Sequence, residues 1–335
     1  MISLSISGQS GVAAARRLAT SDAQQIGFDE AAAGRVALVA TELATNVLNH
    51  GGGGELLIGP YEEGGPPGIE IIALDNGKGM ADIDRCLRDG YSTAGTSGTG
   101  LGAVIRQSDL VDIVSQPDAG TAILARFERR SARGAPQRKP RVAWGAVAIP
   151  APGENVSGDA WAVIPTEVGA NVLVVDGLGH GAEAAKAAKA AVAIFQDFHH
   201  LSPSLLIERL HAGIASTRGA AAAVAHLDFD AGCLIFAGIG NIAGTILTEG
   251  GMRKTVSHNG ILGHAVRQAR SFEYPLHEDS LVLFHTDGLH NNWNLDKAYR
   301  GLAAHHPSLI AAILYRDFRR GRDDVTVLAM KRRAP

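Results

Sequence analysis

Apolar positions recur along this chain with two periods, and the switches between them mark its elements. From Asp29, a suitable N-cap, to about Asn49, the residues Val36, Val39, Ala40, Leu43 and Val47 fall on one helical stripe, and Gly51 supplies the stop. Glu42, Asn46 and Asn49 form a second line about 110° round the helix, given about 100° per residue, so three polar groups border the core. β-Branched and apolar runs predict strands at Glu55–Ile58, Ile69–Leu74 and Thr121–Phe127, and the Gly-rich stretch Ser92–Gly102 leads into another helix. Further along, strands are predicted at Val142–Ile149, Ala160–Ile164, Asn171–Val175, Cys233–Gly238, Leu281–His285 and Val325–Met330. Helices are predicted at Ala182–Phe198, Pro203–Ala215 and Ser308–Tyr315. Runs of strands with helices between them, without strict alternation, point to α+β layered domains.

A chain of 335 residues suits two domains, and the segment Glu128–Arg141 divides it: it is Arg-rich, carries Pro136 and Pro140, and offers almost nothing to pack. The expected domains are residues 1–128 and 142–335, joined by a linker at 129–141. The net charge of -3 gives no basic face for nucleic acid. Cys86 and Cys233 stand far apart, which excludes a disulfide framework or thiolate zinc site and fits a reducing cytoplasm. No apolar run of about 18 residues occurs, so membrane insertion is not expected.

In the first half, three segments occur in order: E-L-A-T-N at Glu42–Asn46, D-N-G-K-G at Asp75–Gly79, and T-S-G-T-G-L-G at Thr96–Gly102. Singly they are ordinary: Asp-Asn-Gly is a hairpin-turn sequence, and Glu42 with Asn46 suits a solvated helix face. Together each has work to do around Mg²⁺-ATP. Asp75 at a strand end can accept the adenine amino group, while Gly77 and Gly79 admit backbone close to the base. Gly98, Gly100 and Gly102, entering a helix, offer amide N–H groups to phosphates. Asn46 can hold Mg²⁺ through its carbonyl oxygen, and Glu42 can act as general base on an attacking hydroxyl.

These segments resemble the N box and glycine boxes of the histidine-kinase-like ATPase family, and Asp75–Gly95 resembles the switch serine kinases of bacterial stressosomes, short lid included. The resemblance implies a Bergerat-type α/β sandwich, ATP with Mg²⁺ as cofactor, and Thr121 among the nucleotide-binding residues. It further implies a serine or threonine on a STAS-domain protein as acceptor. No phospho-acceptor His in an H-E-x-x-R/K setting is present, so transfer through histidine is not supported.

In the second half, carboxylates recur beside apolar strand signals: S-G-D at Ser157–Asp159, V-D-G-L-G-H-G at Val175–Gly181, H-T-D-G at His285–Gly288 and R-D-D-V-T at Arg322–Thr326. Each Asp-Gly pair alone can be a turn. Anions gathered at one sheet edge repel unless cations neutralise them, which points to a pair of Mn²⁺ or Mg²⁺ ions that activate water for phosphoester hydrolysis. The segments resemble the SpoIIE-type branch of the metal-dependent 2C-type phosphatases, across Val142–Met330. That resemblance implies an αββα sandwich, with Asp159, Asp176, Asp287 and Asp323 as metal ligands and Gly177 contributing its carbonyl. Only one of Asp323 and Asp324 is expected to reach the metals. The early Arg that binds phosphate in eukaryotic relatives is not evident, so phosphate recognition is expected to rest on the metals alone. His305–His306 read as an exposed helix end, and Trp161 and Trp293 as packing or substrate-rim residues.

The expected whole is a cytoplasmic, bifunctional signalling regulator. It phosphorylates and dephosphorylates Ser/Thr on STAS-domain partners within a sigma-factor regulatory system, and the analogy allows a homodimer. The alternative is a phosphatase only, with the ATP-binding domain as sensor or anti-sigma-type binding module.

Overall fold

The computed structural model describes residues 1–83, 100–129, 139–266, 268–293, 295 and 301–333. Packing divides the chain into two compact units: Met1–Lys139 with Ala304–Ile313, and Pro140–Ala303 with Leu314–Pro335.

The first unit is built on an antiparallel sheet of β1 (Ile2–Ile6), β2 (Gly54–Tyr61), β3 (Gly68–Asp75), β4 (Leu110–Ser115) and β5 (Thr121–Phe127), in the order β1-β2-β3-β5-β4. Among the described residues its helices are α1 (Gln9–Gln25), α2 (Glu30–Asn49) and α3 (Gly100–Gln107). The Asp29 carboxylate caps α2 by accepting the Ala32 N–H at 2.7 Å. All five residues of the α2 stripe are buried, and they share one core with Leu56, Ile58, Ile69, Ile71, Ile123 and Ala125 of the sheet.

Alternate strand residues point to the opposite face, where Leu57, Ile72, Leu74 and Leu124 are also buried. This face carries charge. Arg126, 4% exposed, donates to Glu70 at 3.0 Å, to Glu63 at 2.9 Å and to the Ser308 hydroxyl at 2.8 Å, and Ser308 in turn donates to Glu70 at 2.9 Å. The guanidinium also lies over the Tyr61 ring. Every charge there is therefore partnered, as burial requires. His305 and His306 are not a free helix end: the Asp112 carboxylate pairs with His305 Nδ1 at 2.8 Å and accepts the His306 backbone N–H at 2.6 Å.

The second unit stacks two antiparallel sheets. One runs β13-β10-β9-β8-β7 and the other β12-β11-β14-β15-β6. The strands of the first are β7 (Asp159–Pro165), β8 (Gly169–Gly177), β9 (Ala220–Asp228), β10 (Cys233–Ile239) and β13 (Phe272–Pro275). Those of the second are β6 (Val142–Ile149), β11 (Ala243–Thr248), β12 (Gly251–Lys254), β14 (Leu281–His285) and β15 (Val325–Arg332). Trp144, Val172, Phe236, Phe284 and Leu328 fill the space between the sheets. A second core joins β8 and β9 to α4 (Gly181–Phe198) and α5 (Pro203–Gly213) through Leu173, Val175, Phe195, Leu206 and Leu210. A further helix, α6, spans Pro307–Phe318. The architecture is thus α+β in two parts, one sheet packed on helices and a sandwich of two sheets with helices outside it. Among the described residues, no helix is long and apolar enough to cross a membrane.

Candidate functional site

In the first unit, α2 carries Glu42 and Asn46 past the start of α3. A Cβ placed on Gly100 would sit 2.8 Å from Glu42 Oε2 and 3.8 Å from Asn46 Oδ1, so both groups lie at the start of α3 and a side chain at position 100 would displace the Glu42 carboxylate. The Asn46 Nδ2 is buried with no hydrogen-bond partner among the described residues, an unusual state for a buried amide and one that a ligand can relieve. Asp75 ends β3, where its Oδ1 accepts the Gly77 N–H at 2.9 Å and the Thr121 N–H at 3.2 Å. A Cβ on Gly77 would lie 2.8 Å from the His50 carbonyl oxygen. Gly79, at φ +64, would meet the Gln116 carbonyl at 1.9 Å. Glu42, Asn46 and Gly100 are thus gathered, and Asp75, Gly77 and Thr121 form a second group at the end of β3. Gly102 is buried within α3. Gly98 lies outside the described residues, as do residues 84–95 of the Asp75–Gly95 segment and most of the linker.

In the second unit, Asp159 opens β7 and stands opposite Asp176 in the β7–β8 ladder. Asp287 follows β14, and Asp323 and Asp324 precede β15. Burial, followed by repulsion from Asp159, Asp287, Asp323 and Asp324, pushes the Asp176 carboxyl up to about 8. Burial also pushes Asp159 up to about 7; the Thr286 hydroxyl works against this, and the charges of Asp324 and Asp323 add to it. Asp324 is consumed by backbone: its oxygens accept the N–H of Ala151 at 2.7 Å and of Gly158 at 2.8 Å. Asp323 is exposed, and Asp287 accepts from Asn241 at 2.7 Å.

Residues outside the expected ligand set hold this edge together. Thr286 donates to Asp159 Oδ2 at 2.7 Å and accepts the Thr326 N–H at 2.9 Å. His285 Nδ1–H reaches the Thr286 carbonyl at 2.9 Å, and Trp293 Nε1–H points at His285 Nε2 at 3.4 Å. Trp293 is 4% exposed and so belongs to the packing. The signal for Thr286 was its place in H-T-D-G, a hydroxyl next to a carboxylate at the end of an apolar strand. Asn241 carries no comparable signal.

Among the described residues, no three carboxylate, imidazole or thiol groups close into a cage for one ion. Mg²⁺ commonly keeps several waters and takes only one or two carboxylates. An open, oxygen-only set in which burial and then neighbouring carboxylates raise Asp159 and Asp176 still fits hard divalent cations.

A family model described as the histidine kinase-like ATPase domain matches residues 9–127, and one described as stage II sporulation protein E matches residues 167–333. The serine/threonine-protein kinase RsbT of Bacillus subtilis (strain 168) is 36% identical over 114 residues, which are 34% of this chain and 86% of that protein. The chain belongs to the RsbT family of histidine kinase-like ATPase domains. Fused to its RsbT-like part is a SpoIIE-type phosphatase domain. A structure from work on the bacterial stressosome as a modular system adapted to control secondary messenger signaling is 29% identical. It covers 57% of this chain and 99% of its own, with a TM-score of 0.53. RsbX in complex with magnesium shares the fold at 18% identity, covering 58% of this chain and 98% of its own with a TM-score of 0.52. At family level, the RsbT-like domain is of serine/threonine kinase type and the SpoIIE-type domain of serine/threonine phosphatase type.

Proposed function

We propose that this chain adds phosphate to serine or threonine on STAS-domain partner proteins through its RsbT-like domain and removes phosphate through its SpoIIE-type domain, as a cytoplasmic partner-switching regulator. The kinase function is assigned to residues 1–128 and the phosphatase function to residues 142–335, with 129–141 as linker. The observation that carries the reading is the pairing of two equipped sites in one chain. One is Glu42 with Asn46 at Gly100; the other is Asp159 opposite Asp176 with Asp287 and Asp323 nearby.

In the kinase domain, Asp75 is placed to read the adenine amino group, and Asn46 to hold Mg²⁺ through its side-chain oxygen. The amides of Gly100 and Gly102 face the phosphates as α3 begins, where the helix dipole favours negative charge, and Gly98 is assigned to the same phosphate loop from its sequence motif. Glu42 takes the proton from the attacking hydroxyl.

In the phosphatase domain, Asp159, Asp176, Asp287, Asp323 and the Gly177 carbonyl would hold two Mn²⁺ or Mg²⁺ ions. When bound, these ions supply positive charge and acidify the hydrolytic water. Thr286 fixes the orientation of Asp159, Asn241 fixes that of Asp287, and Asp324 ties the Gly158 loop so that Asp159 is presented at the sheet edge.

Titrating the purified full chain with Mn²⁺ while following p-nitrophenyl phosphate hydrolysis, and separately measuring Mg²⁺-dependent ATP binding, tests the two halves. Saturable responses in both are expected. Hydrolysis indifferent to Mn²⁺, or no ATP binding, removes the corresponding half.

A further inference from the structure

The loop between α5 and β9 carries a cation that no motif singled out. Arg218 is exposed, yet its backbone is held on both sides. Thr217 Oγ1 donates to the Ile214 carbonyl at 2.7 Å and accepts the Gly219 N–H at 3.1 Å. The Arg218 carbonyl pairs with His264 Nε2 at 2.9 Å, and the Gly219 carbonyl accepts the Leu178 N–H at 3.0 Å. Gly219 sits at φ +85, in the left-handed region that favours glycine. The loop is therefore strapped to the segment that leaves β8 directly after Asp176 and Gly177.

The side chain follows the same direction. Arg218 Nη1 lies 3.5 Å from where a Cβ on Gly179 would be. Its charge contributes to lowering the Glu183 pKa, behind the larger effect of Lys186. Among the described residues, the Arg218 guanidinium makes no ion pair, although the Asp176 cluster lies just along the chain. A guanidinium held against the loop that follows Asp176 and Gly177, with no ion pair among the described residues, is available to a ligand. Four carboxylates offset the four positive charges of two divalent ions, so a phosphomonoester dianion arriving there still lacks a partner for its charge. The planar fork of arginine matches two phosphoryl oxygens.

We propose that Arg218 binds the non-bridging oxygens of the substrate's phosphoryl group at the Gly177–His180 loop, so that phosphate recognition does not rest on metal ions alone. This inference rests on the phosphatase reading. It places the cation after the second strand of the site, where a search for an early arginine does not look.

The test uses the full chain in saturating Mn²⁺, with p-nitrophenyl phosphate as substrate and inorganic phosphate as competing inhibitor. For R218A we expect KM and the phosphate inhibition constant each to rise about tenfold, the change that losing about 1.4 kcal/mol of binding produces. The Mn²⁺ concentration for half-activity should stay within about twofold, and R218K should recover part of the loss, since lysine keeps the charge without the fork. Because Arg218 is exposed, the melting temperature should hold, and R218Q repeats the measurement with a side chain of similar length. Unchanged KM and phosphate inhibition in both R218A and R218Q overturn the assignment. So does a defect confined to phosphoprotein substrates, which would place Arg218 on a neighbouring residue of the partner. A wild-type chain that hydrolyses nothing with Mn²⁺ overturns the phosphatase reading along with it, whereas an active wild type with indifferent variants overturns Arg218 alone.

Discussion

The Thr286 hydroxyl, at the end of a strand in one sheet of the second unit, donates at 2.7 Å to the Asp159 carboxylate at the start of a strand in the other. Both residues are buried, and the same hydroxyl accepts the Thr326 N–H. One small side chain thus ties the two sheets together at the point where the carboxylates gather.

Replacing Thr286 with valine keeps the volume and removes both bonds, leaving a buried carboxylate and a buried N–H short of partners. The cost should be about 1–3 kcal/mol of stability, read from urea unfolding, together with weaker Mn²⁺ activation. Thr286→Ser restores the hydroxyl and should recover most of both. A Thr286→Val variant with wild-type stability and metal response would show that the bond is incidental.

The raised carboxyls of Asp159 and Asp176 set a pH dependence for the metal-free protein. The unfolded chain releases these protons near pH ~4, whereas the folded chain keeps them to about 7 and about 8. Between those limits the folded state binds more protons, so stability falls as pH rises. With EDTA present, the melting temperature of the second unit should be higher at pH 5 than at pH 8. Adding Mn²⁺ at pH 8 should reverse the loss, because cations bind the deprotonated groups. A metal-free stability that climbs across that interval would contradict the cluster.

Much of this was legible in the chain, for reasons that differ by element. The α2 stripe announced itself because Val36, Val39, Leu43 and Val47 are large and regularly spaced. By contrast, α1 buries Val12, Ala15, Ala19 and Ala23, a stripe of mostly small residues with little hydrophobic contrast. The strand β9 reads A-A-A-A-V-A, equally suited to a helix, and only its pairing between β8 and β10 decides its conformation. Asp159 and Asp176 were visible because each closes or opens an apolar run. Thr286, Asn241 and Arg218 depend on tertiary neighbours that spacing does not encode. The His305–His306 pair misled because its partner, Asp112, lies 193 residues away.

Gly100 lies against Glu42 in the proposed ATP site. Gly100→Ala would push a methyl against Glu42 Oε2, and a fluorescent ATP analogue should bind about tenfold more weakly or not at all. The substitution sits at a helix start and should cost little stability, since alanine is the better helix former. Unaltered ATP affinity would place the phosphates elsewhere.

Ser308 completes the Arg126–Glu70 network of the first unit. Ser308→Ala leaves one guanidinium donor without its acceptor, and should cost about 1–3 kcal/mol in that unit's unfolding. Arg126→Met strands Glu70 and should cost more, about 3–5 kcal/mol. If the two variants melt alike with the wild type, the network is not a source of stability.

The central claim, one chain that both places and removes a phosphoryl group, is tested most directly by radiolabelled ATP and a STAS-domain protein bearing an accessible serine. Asp176→Asn should let label accumulate on the partner, Glu42→Ala should prevent its appearance, and the wild-type chain in Mn²⁺ should clear label already placed. No label on the partner with Asp176→Asn, at any Mg²⁺-ATP concentration, would contradict the account.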